Sequence, residues 1–388
     1  MSSRDPLSQP SIAVGVERME VAVARRKPQR PPRALVAAAV MAIALLMPGL
    51  TSPLAIRAVT CDPFFLDHCH GVADWVYAPS NSGASVILRT DCLYGPNDNQ
   101  NFLSEELWVG TNNDPDSYSW VETGIAYGEL NGQAKGGPYW FWADDTPGAG
   151  YGEHWVDVVA YSQTYVAKIR YFGNNIWDVY QDTTIVGRSV GNPPWSKYLS
   201  TGMESTSNSY NASGRSSSLK YWDVAGSVYT SWQSGNNHAV ISEDHPPIDA
   251  YWLTQYVKVA YDEGTCGGML SPTGSAATTS HASFSSIALA SAEGFGDAHA
   301  DLVGTVLTSR QTAVSAISGS SVDSDESVYV VQLRGSFTGR HAPAGHELPT
   351  GTFLTLTIGV TTGEVLDASL TNVPAHLEAV GPVVDLPN

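Results

Sequence analysis

The sequence predicts a mainly β protein: an antiparallel β-sandwich or jelly roll, followed by a small α+β module of one helix on a three-stranded antiparallel sheet. Three observations carry this. Short alternating or aromatic runs recur from residue 59 to about residue 268, among them "ASVILRT", "EELWVGT", "SWVETGIAY", "YWFWAD" and "YVAKIRYF". Turn residues punctuate them, as in "NGQAKGG", "FGNN" and "GNPP". No long helical period appears until "DAHADLVGTVLTSRQTAVSAIS", where Leu302, Val303, Val306, Leu307, Ala313, Val314 and Ile317 fall near helical spacing.

The elements follow in order. Residues 1–58 hold Arg25, Arg26, Lys27, Arg30 and Arg33 ahead of the apolar run "ALVAAAVMAIALLMPGL", with small residues near Ala55–Ala58. This reads as a leader and secretory signal, so the chain is expected outside the cell; the alternative is a retained N-terminal membrane anchor. Residues 59–268 form the sandwich. Residues 269–291, within and after the small, polar and breaker-rich "GGMLSPTGSAATTSHASFSS", read as a linker. Residues 292–388 are the α+β module, in which "SVYVVQLRGSF", "TFLTLTIGV" and "GEVLDASLT" supply the strands. Its expected role is an interaction or folding appendage.

Without residues 1–58 the chain keeps 12 basic and 35 acidic residues, a formal charge of −23. Such a surface repels nucleic acid and anionic membrane, which excludes both as expected partners once the signal is cleaved. The four cysteines, Cys61, Cys69, Cys92 and Cys266, all follow the leader. In an exported chain they are expected as two disulfides; closeness in sequence pairs Cys61 with Cys69 and leaves Cys92 with Cys266. A metal site from Asp67, His68, Cys69 and His70 is the rival, disfavoured because adjacent ligands rarely face one ion. No metal or cofactor is expected.

The stretch "SYSWVETGIAYG" sets Trp120, Glu122 and Gly124 on one strand face. "PYWFWADD" sets Trp140, Trp142 and Asp144 together, and "STGMESTSNSY" sets Gly202, Glu204 and Thr206 together. Carboxylates beside tryptophans on a face with few aliphatics suit a cleft for peptide or sugar. The blander reading is a solvated face with scattered acids. Glu105-Glu106 and Glu153-His154 are expected on solvated edges or turns.

In order, "LWVGT", "SWVETGI", "YWFWADD", "VDVVAYSQTYVAKI", "PPWSKYLSTGMEST" and "VAGSVYTSW" resemble the motifs of the glutamic peptidases, the eqolisins and the neprosin-like enzymes. The resemblance spans about residues 107–232 and implies a concanavalin-A-like sandwich. It matches Glu122 to the first catalytic position and Glu204 to the second, with Trp120, Trp140 and Trp142 lining the cleft and Asp144 and Thr206 near substrate. The "STSN" after Glu204 and the cysteine pattern depart from those families.

Two carboxylates ~4 Å apart at an effective dielectric near 20 repel by about 4 kcal/mol, roughly three pKa units, and so share a proton. Glu204 is then expected as the ionised base and Glu122 as the neutral acid of an exported, acid-acting endopeptidase. The alternative is a non-catalytic module binding polysaccharide or cell wall through its tryptophans. A glycosidase lacks the one-strand carboxylate spacing it would need. Serine or cysteine hydrolase chemistry lacks a "GxSxG" and a partner for His154, His238 or His245. The acidic turn holding Asn112, Asn113, Asp114 and Asp116 lacks calcium-loop spacing.

Overall fold

The computed structural model describes residues 68–111, 119–206, 210–232, 239–243, 248–254, 258–263, 266, 283–343 and 346–383. The expected leader, Cys61, Asp67, the acidic turn at 112–116, His238 and His245 lie outside them. The chain forms β1 (Cys69–Tyr94), β2 (Phe102–Gly110), β3 (Trp120–Leu130), β4 (Gln133–Thr146), β5 (Gly150–Val158), β6 (Tyr165–Gly173), β7 (Ile176–Gln181), β8 (Thr184–Val190), β9 (Ser196–Ser205) and β10 (Asn211–Asp223). Then come β11 (Val228–Ser231), β12 (Val240–Glu243), β13 (Ile248–Thr254), β14 (Lys258–Glu263), α1 (Phe284–Gly294), β15 (Asp301–Ser309), α2 (Arg310–Ser318), β16 (Ser321–Val322), β17 (Ser327–Thr338), β18 (Thr350–Gly359) and β19 (Val365–Thr371).

The expected antiparallel sandwich is present. A front sheet runs β1–β9–β2–β3–β4–β5 and continues through β19, β18, β17 and β15. A back sheet runs β8–β7–β6–β1–β10–β14–β13. The long β1 serves both, with its pairing to β9 irregular between Val76 and Asn81. Turn chemistry sets the hairpins: Asn131-Gly132 and Asn174-Asn175 both adopt positive φ, the backbone that two-residue hairpin turns require. Cys92 is bonded to Cys266, as expected, tying β1 to the chain beyond β14. Cys69 is also disulfide-bonded.

Two apolar layers flank the front sheet. Between the sheets lie Trp75, Leu107, Val121, Trp140, Trp142, Ile169, Trp177 and Trp232. On the front sheet's other face lie Trp108, Trp120, Phe141 and Tyr151, packed with Ala288, Phe295, Leu354 and Leu356 from the C-terminal part. The central strands of the front sheet are therefore buried on both faces, and every residue of β2 and β3 is buried.

The C-terminal part differs from expectation in three ways. Residues 301–309 are strand, not helix: the β-branched Thr305, Val306 and Thr308 pair with β17, Val303 falls at the irregularity between Leu302 and Gly304, and the helix begins only at Arg310, capped by Ser309. The sheet there has four strands, β15, β17, β18 and β19, and β19 hydrogen-bonds to β5. Finally, α1 begins at Phe284, inside the stretch expected to be linker. Its small residues explain this, since a Cβ on Gly132 would lie 2.2 Å from the Ser291 carbonyl oxygen, so closely does the helix rest on the β3–β4 turn. No helix among the described residues is long and apolar enough to cross a membrane.

Candidate active site

The alternation of β3 places Trp120, Glu122, Gly124 and Ala126 on the face turned away from the back sheet, while Val121 and Ile125 enter the inter-sheet core. Register then builds the site. On β2, Trp108 lies opposite Glu122, Glu106 opposite Gly124 and Ser104 opposite Ala126. Across β2's other edge, β9 sets Gly202 opposite Glu106 and Glu204 opposite Ser104. On β1, His70 lies opposite Glu204, with His68 two residues earlier. On the far side, Ala143 of β4 separates Glu122 from Glu153 of β5. Glu204, Glu106, Glu122 and Glu153 thus form a diagonal across one face. Gly124 makes room for it: a Cβ there would stand 2.4 Å from the Glu106 Cβ.

All four carboxylates are fully buried. Glu204 Oε1 accepts a hydrogen bond from His68 Nδ1, and His70 Nε2 lies 3.4 Å away. Burial pushes the Glu204 carboxyl upward, but the bonds and charges of His68 and then His70 outweigh it and hold the group at about 2. Glu122 is the opposite case. Burial first, then the charges of Glu106, Glu204 and Glu153, push its carboxyl well above the usual range. The Trp108 indole N–H pulls the other way but does not reach hydrogen-bond geometry, and neither Glu122 oxygen has a partner among the described residues. Glu106 is raised as well, by burial and then by Glu204, against a hydrogen bond from Ser104 Oγ. Glu153 accepts from the Tyr151 hydroxyl at 2.5 Å and from the Asn131 N–H at 2.9 Å.

The expected residues are divided by this face. Glu122, Glu204 and Trp120 share it, with β2 between the two glutamates. Trp140, Trp142 and Asp144 do not. Glu122 pairs with Ala143, so the neighbouring positions 142 and 144 point to the opposite side. Trp140 and Trp142 are buried between the sheets, with Trp142 stacked 3.9 Å over His154. Asp144 is buried among Thr146 and Ser320, which hydrogen-bond to its Oδ2. Thr206 closes the end of β9, where its hydroxyl accepts from the Phe102 N–H at 2.9 Å.

Glu106 and Glu153 correct the expectation of solvated edges, because the C-terminal part covers the sheet. Glu106 was visible in principle: in "EELWVG" it shares strand phase with Trp108. Glu105 takes the other face, where it accepts from Thr90 Oγ1 at 2.7 Å and burial raises it to about 7. His341 had no signal at all, arriving from more than a hundred residues downstream.

His341 reaches the carboxylates on the loop that joins β17 to β18. Its ring sits 3.9 Å from the Phe102 ring and 4.8 Å from the Phe141 ring. Two donor sets could grip a cation, His68–His70–Glu204 and Glu106–Glu204–His341, each with atoms within 4.8 Å of one another. The direct His68–Glu204 hydrogen bond uses that pair as acid and base; a cation between them would have to displace it.

No family model matches the sequence, and no curated protein matches it. Among solved structures the chain is similar to scytalido-glutamic peptidase bound to a transition-state analogue inhibitor, with 8% identity over 51% of this chain and 99% of that one and a TM-score of 0.32. It is similar to SCP-B, an eqolisin peptidase in complex with the tripeptide Ala-Ile-His, with 8% identity over 51% and 98% and a TM-score of 0.27. It is also similar to a Bacillus licheniformis β-glucanase, with 14% identity over 34% and 56% and a TM-score of 0.24. Values this low say nothing about chemistry.

Proposed function

We propose that the chain is an exported, acid-acting endopeptidase that activates water with a glutamate pair, Glu204 as base and Glu122 as acid. One observation carries the reading: two buried carboxylates on one sheet face have opposite surroundings, Glu204 hydrogen-bonded by His68 and held low, Glu122 set among carboxylates without a partner among the described residues and pushed high. The likeness of "WVETG" and its neighbouring motifs to the glutamic peptidases supports it, and the Cys92–Cys266 bond suits an oxidising compartment.

In the proposed step, Glu204 Oε2, which has no partner among the described residues, takes a proton from water as its oxygen attacks the peptide carbonyl carbon. Neutral Glu122 donates a hydrogen bond to the developing oxyanion. The tetrahedral species then breaks its C–N bond as a proton passes from the acid to the leaving amine. Glu106 lies between the two with a carboxyl oxygen within 4.8 Å of one from Glu204, and burial raises the Glu106 and Glu122 carboxyls together on the acid side of the site. Polysaccharide binding through stacked tryptophans has less support, because Trp140 and Trp142 are fully buried between the sheets.

The test is casein digestion from about pH 2 to 7 with the wild type, Glu204→Gln and Glu122→Gln. The reading expects an acidic optimum, loss of activity in Glu204→Gln and partial activity in Glu122→Gln, whose amide still polarises a carbonyl. Undiminished cleavage by Glu204→Gln contradicts it.

A further inference from the structure

The carboxylate face is not open. Described residues of the chain between β17 and β18, 341–343 and 346, lie on it and touch the site at two places. At one end His341 lies between the rings of Phe102 and Phe141, within 4.8 Å of the Glu106 and Glu204 carboxyls. At the other, the His346 ring packs 5.4 Å from Tyr198 and 6.2 Å from Trp120. Glu106 and Trp108 lie between these ends along β2.

The backbone of the loop meets the site as a bound peptide would. The Ala342 carbonyl accepts from His70 Nε2 at 3.4 Å, and the His341 N–H reaches the Tyr151 hydroxyl at 3.3 Å. Both contacts are long, and neither ring nitrogen of His341 has a partner among the described residues although the residue is fully buried. A permanent core position between two phenylalanines would favour an apolar side chain, since unpaired buried nitrogens are costly. The loop is also closed at its base, where the Gly339 N–H donates to the Pro349 carbonyl at 2.7 Å and Thr338 pairs with Thr350. It can lift without undoing the β17–β18 ladder. A cavity of about 870 Å³ also abuts Pro349, lined by Tyr151, Asp145, Ser119 and Thr371 among others.

We infer that this loop is an intrachain occupant of the substrate cleft, and that the gap between Phe102 and Phe141 is a subsite for a planar side chain, aromatic or imidazole, of a polypeptide substrate. This rests on the peptidase reading for what happens after binding, but not for the binding itself. The closed form is a masked one, and substrate enters when the loop leaves.

The experiment uses the full chain. In one variant residues 341–348 are replaced by a short Gly-Ser bridge, which the closed loop base permits; in the second, His341→Gly empties the subsite and keeps the loop length. Each is checked by a cooperative melt. The probe is the synthetic peptide RHAPAGHELP, and binding is read by calorimetry. The bridged variant should bind it at least ten times more tightly than the wild type, and a probe with its first histidine changed to Gly should lose at least tenfold. Casein cleavage at acid pH should rise at least tenfold in the bridged variant. Probe binding without cleavage leaves the occupant in place and overturns the peptidase reading alone. If the bridged variant does not fold, His341→Gly decides, with the same tenfold gain in probe binding expected. No probe binding by a folded variant overturns the inference.

Discussion

Two buried ionisable centres among the described residues are built on opposite principles. At the joint between the sandwich and the C-terminal strands, Asp367 of β19 is answered on every side. Arg310 Nε and a terminal guanidinium nitrogen bond it at 2.9 and 2.8 Å, His154 Nδ1 lies at 2.9 Å, and the Thr357 hydroxyl donates to it. Burial alone would raise the Asp367 carboxyl, but Arg310 and His154 hold it below the ordinary range. In the cleft, Glu122 has carboxylates for neighbours and no hydrogen bond among the described residues. A satisfied ionic centre joins elements; an unsatisfied acidic one stores a proton. Burial alone does not separate structure from chemistry, whereas the partners do.

The largest expected effect is at Glu204. Replacing Glu204, the proposed base, by Gln should lower kcat/KM on casein by about 10²- to 10⁴-fold with little change in the unfolding midpoint. An equal loss from Asp367→Asn, in a protein still folded, would erase the contrast between the two centres.

Next is the joint. Arg310→Met leaves Asp367 buried without its cation and should cost about 3–5 kcal/mol in urea unfolding at neutral pH. Adding Asp367→Asn should recover much of that loss, since the uncompensated charge is then gone. Failure to recover would mean that the guanidinium acts by packing instead.

Gly124→Ala should cost about 1–3 kcal/mol, because its new methyl enters the space of Glu106 and must move it. Activity should fall with it, and activity retained in a destabilised protein would detach Glu106 from the site.

The smallest effect is on stability against pH. Carboxyls raised in the folded state bind protons that the unfolded chain has already released, so stability falls as pH rises from the ordinary carboxylate range toward the raised values. Glu122 and Glu106 act in this way, as do Glu105 at about 7 and Asp74 at about 6. The thermal midpoint should therefore be higher near pH 5 than near pH 8, and Glu122→Gln should flatten the slope. Asp367 has the opposite sign, its contribution being lost only on acidification below the ordinary range.

The sandwich was legible because strand alternation and turn residues are local signals; the Asn131-Gly132 and Asn174-Asn175 turns announce their hairpins. That Glu122 and Glu204 turn to one sheet face follows from strand phase in their short motifs. Trp140 and Trp142 were misplaced because alternation says which residues share a face but not which face meets which layer. That depends on the register with β3, a non-local fact. Val303 and Val306 satisfy helical spacing and strand composition alike, and only pairing with β17 decides between them. His341, like Glu153, joins the site through a contact between distant parts of the chain, which no local pattern records.

The most direct measurement is the site-resolved titration of the glutamate side chains by carbon-13 NMR, assigned with Glu122→Gln and Glu204→Gln. At about pH 6 the account predicts a Glu204 carboxylate that is ionised and a Glu122 carboxyl that is still protonated. Both groups losing their protons together in the ordinary carboxylate range would contradict it.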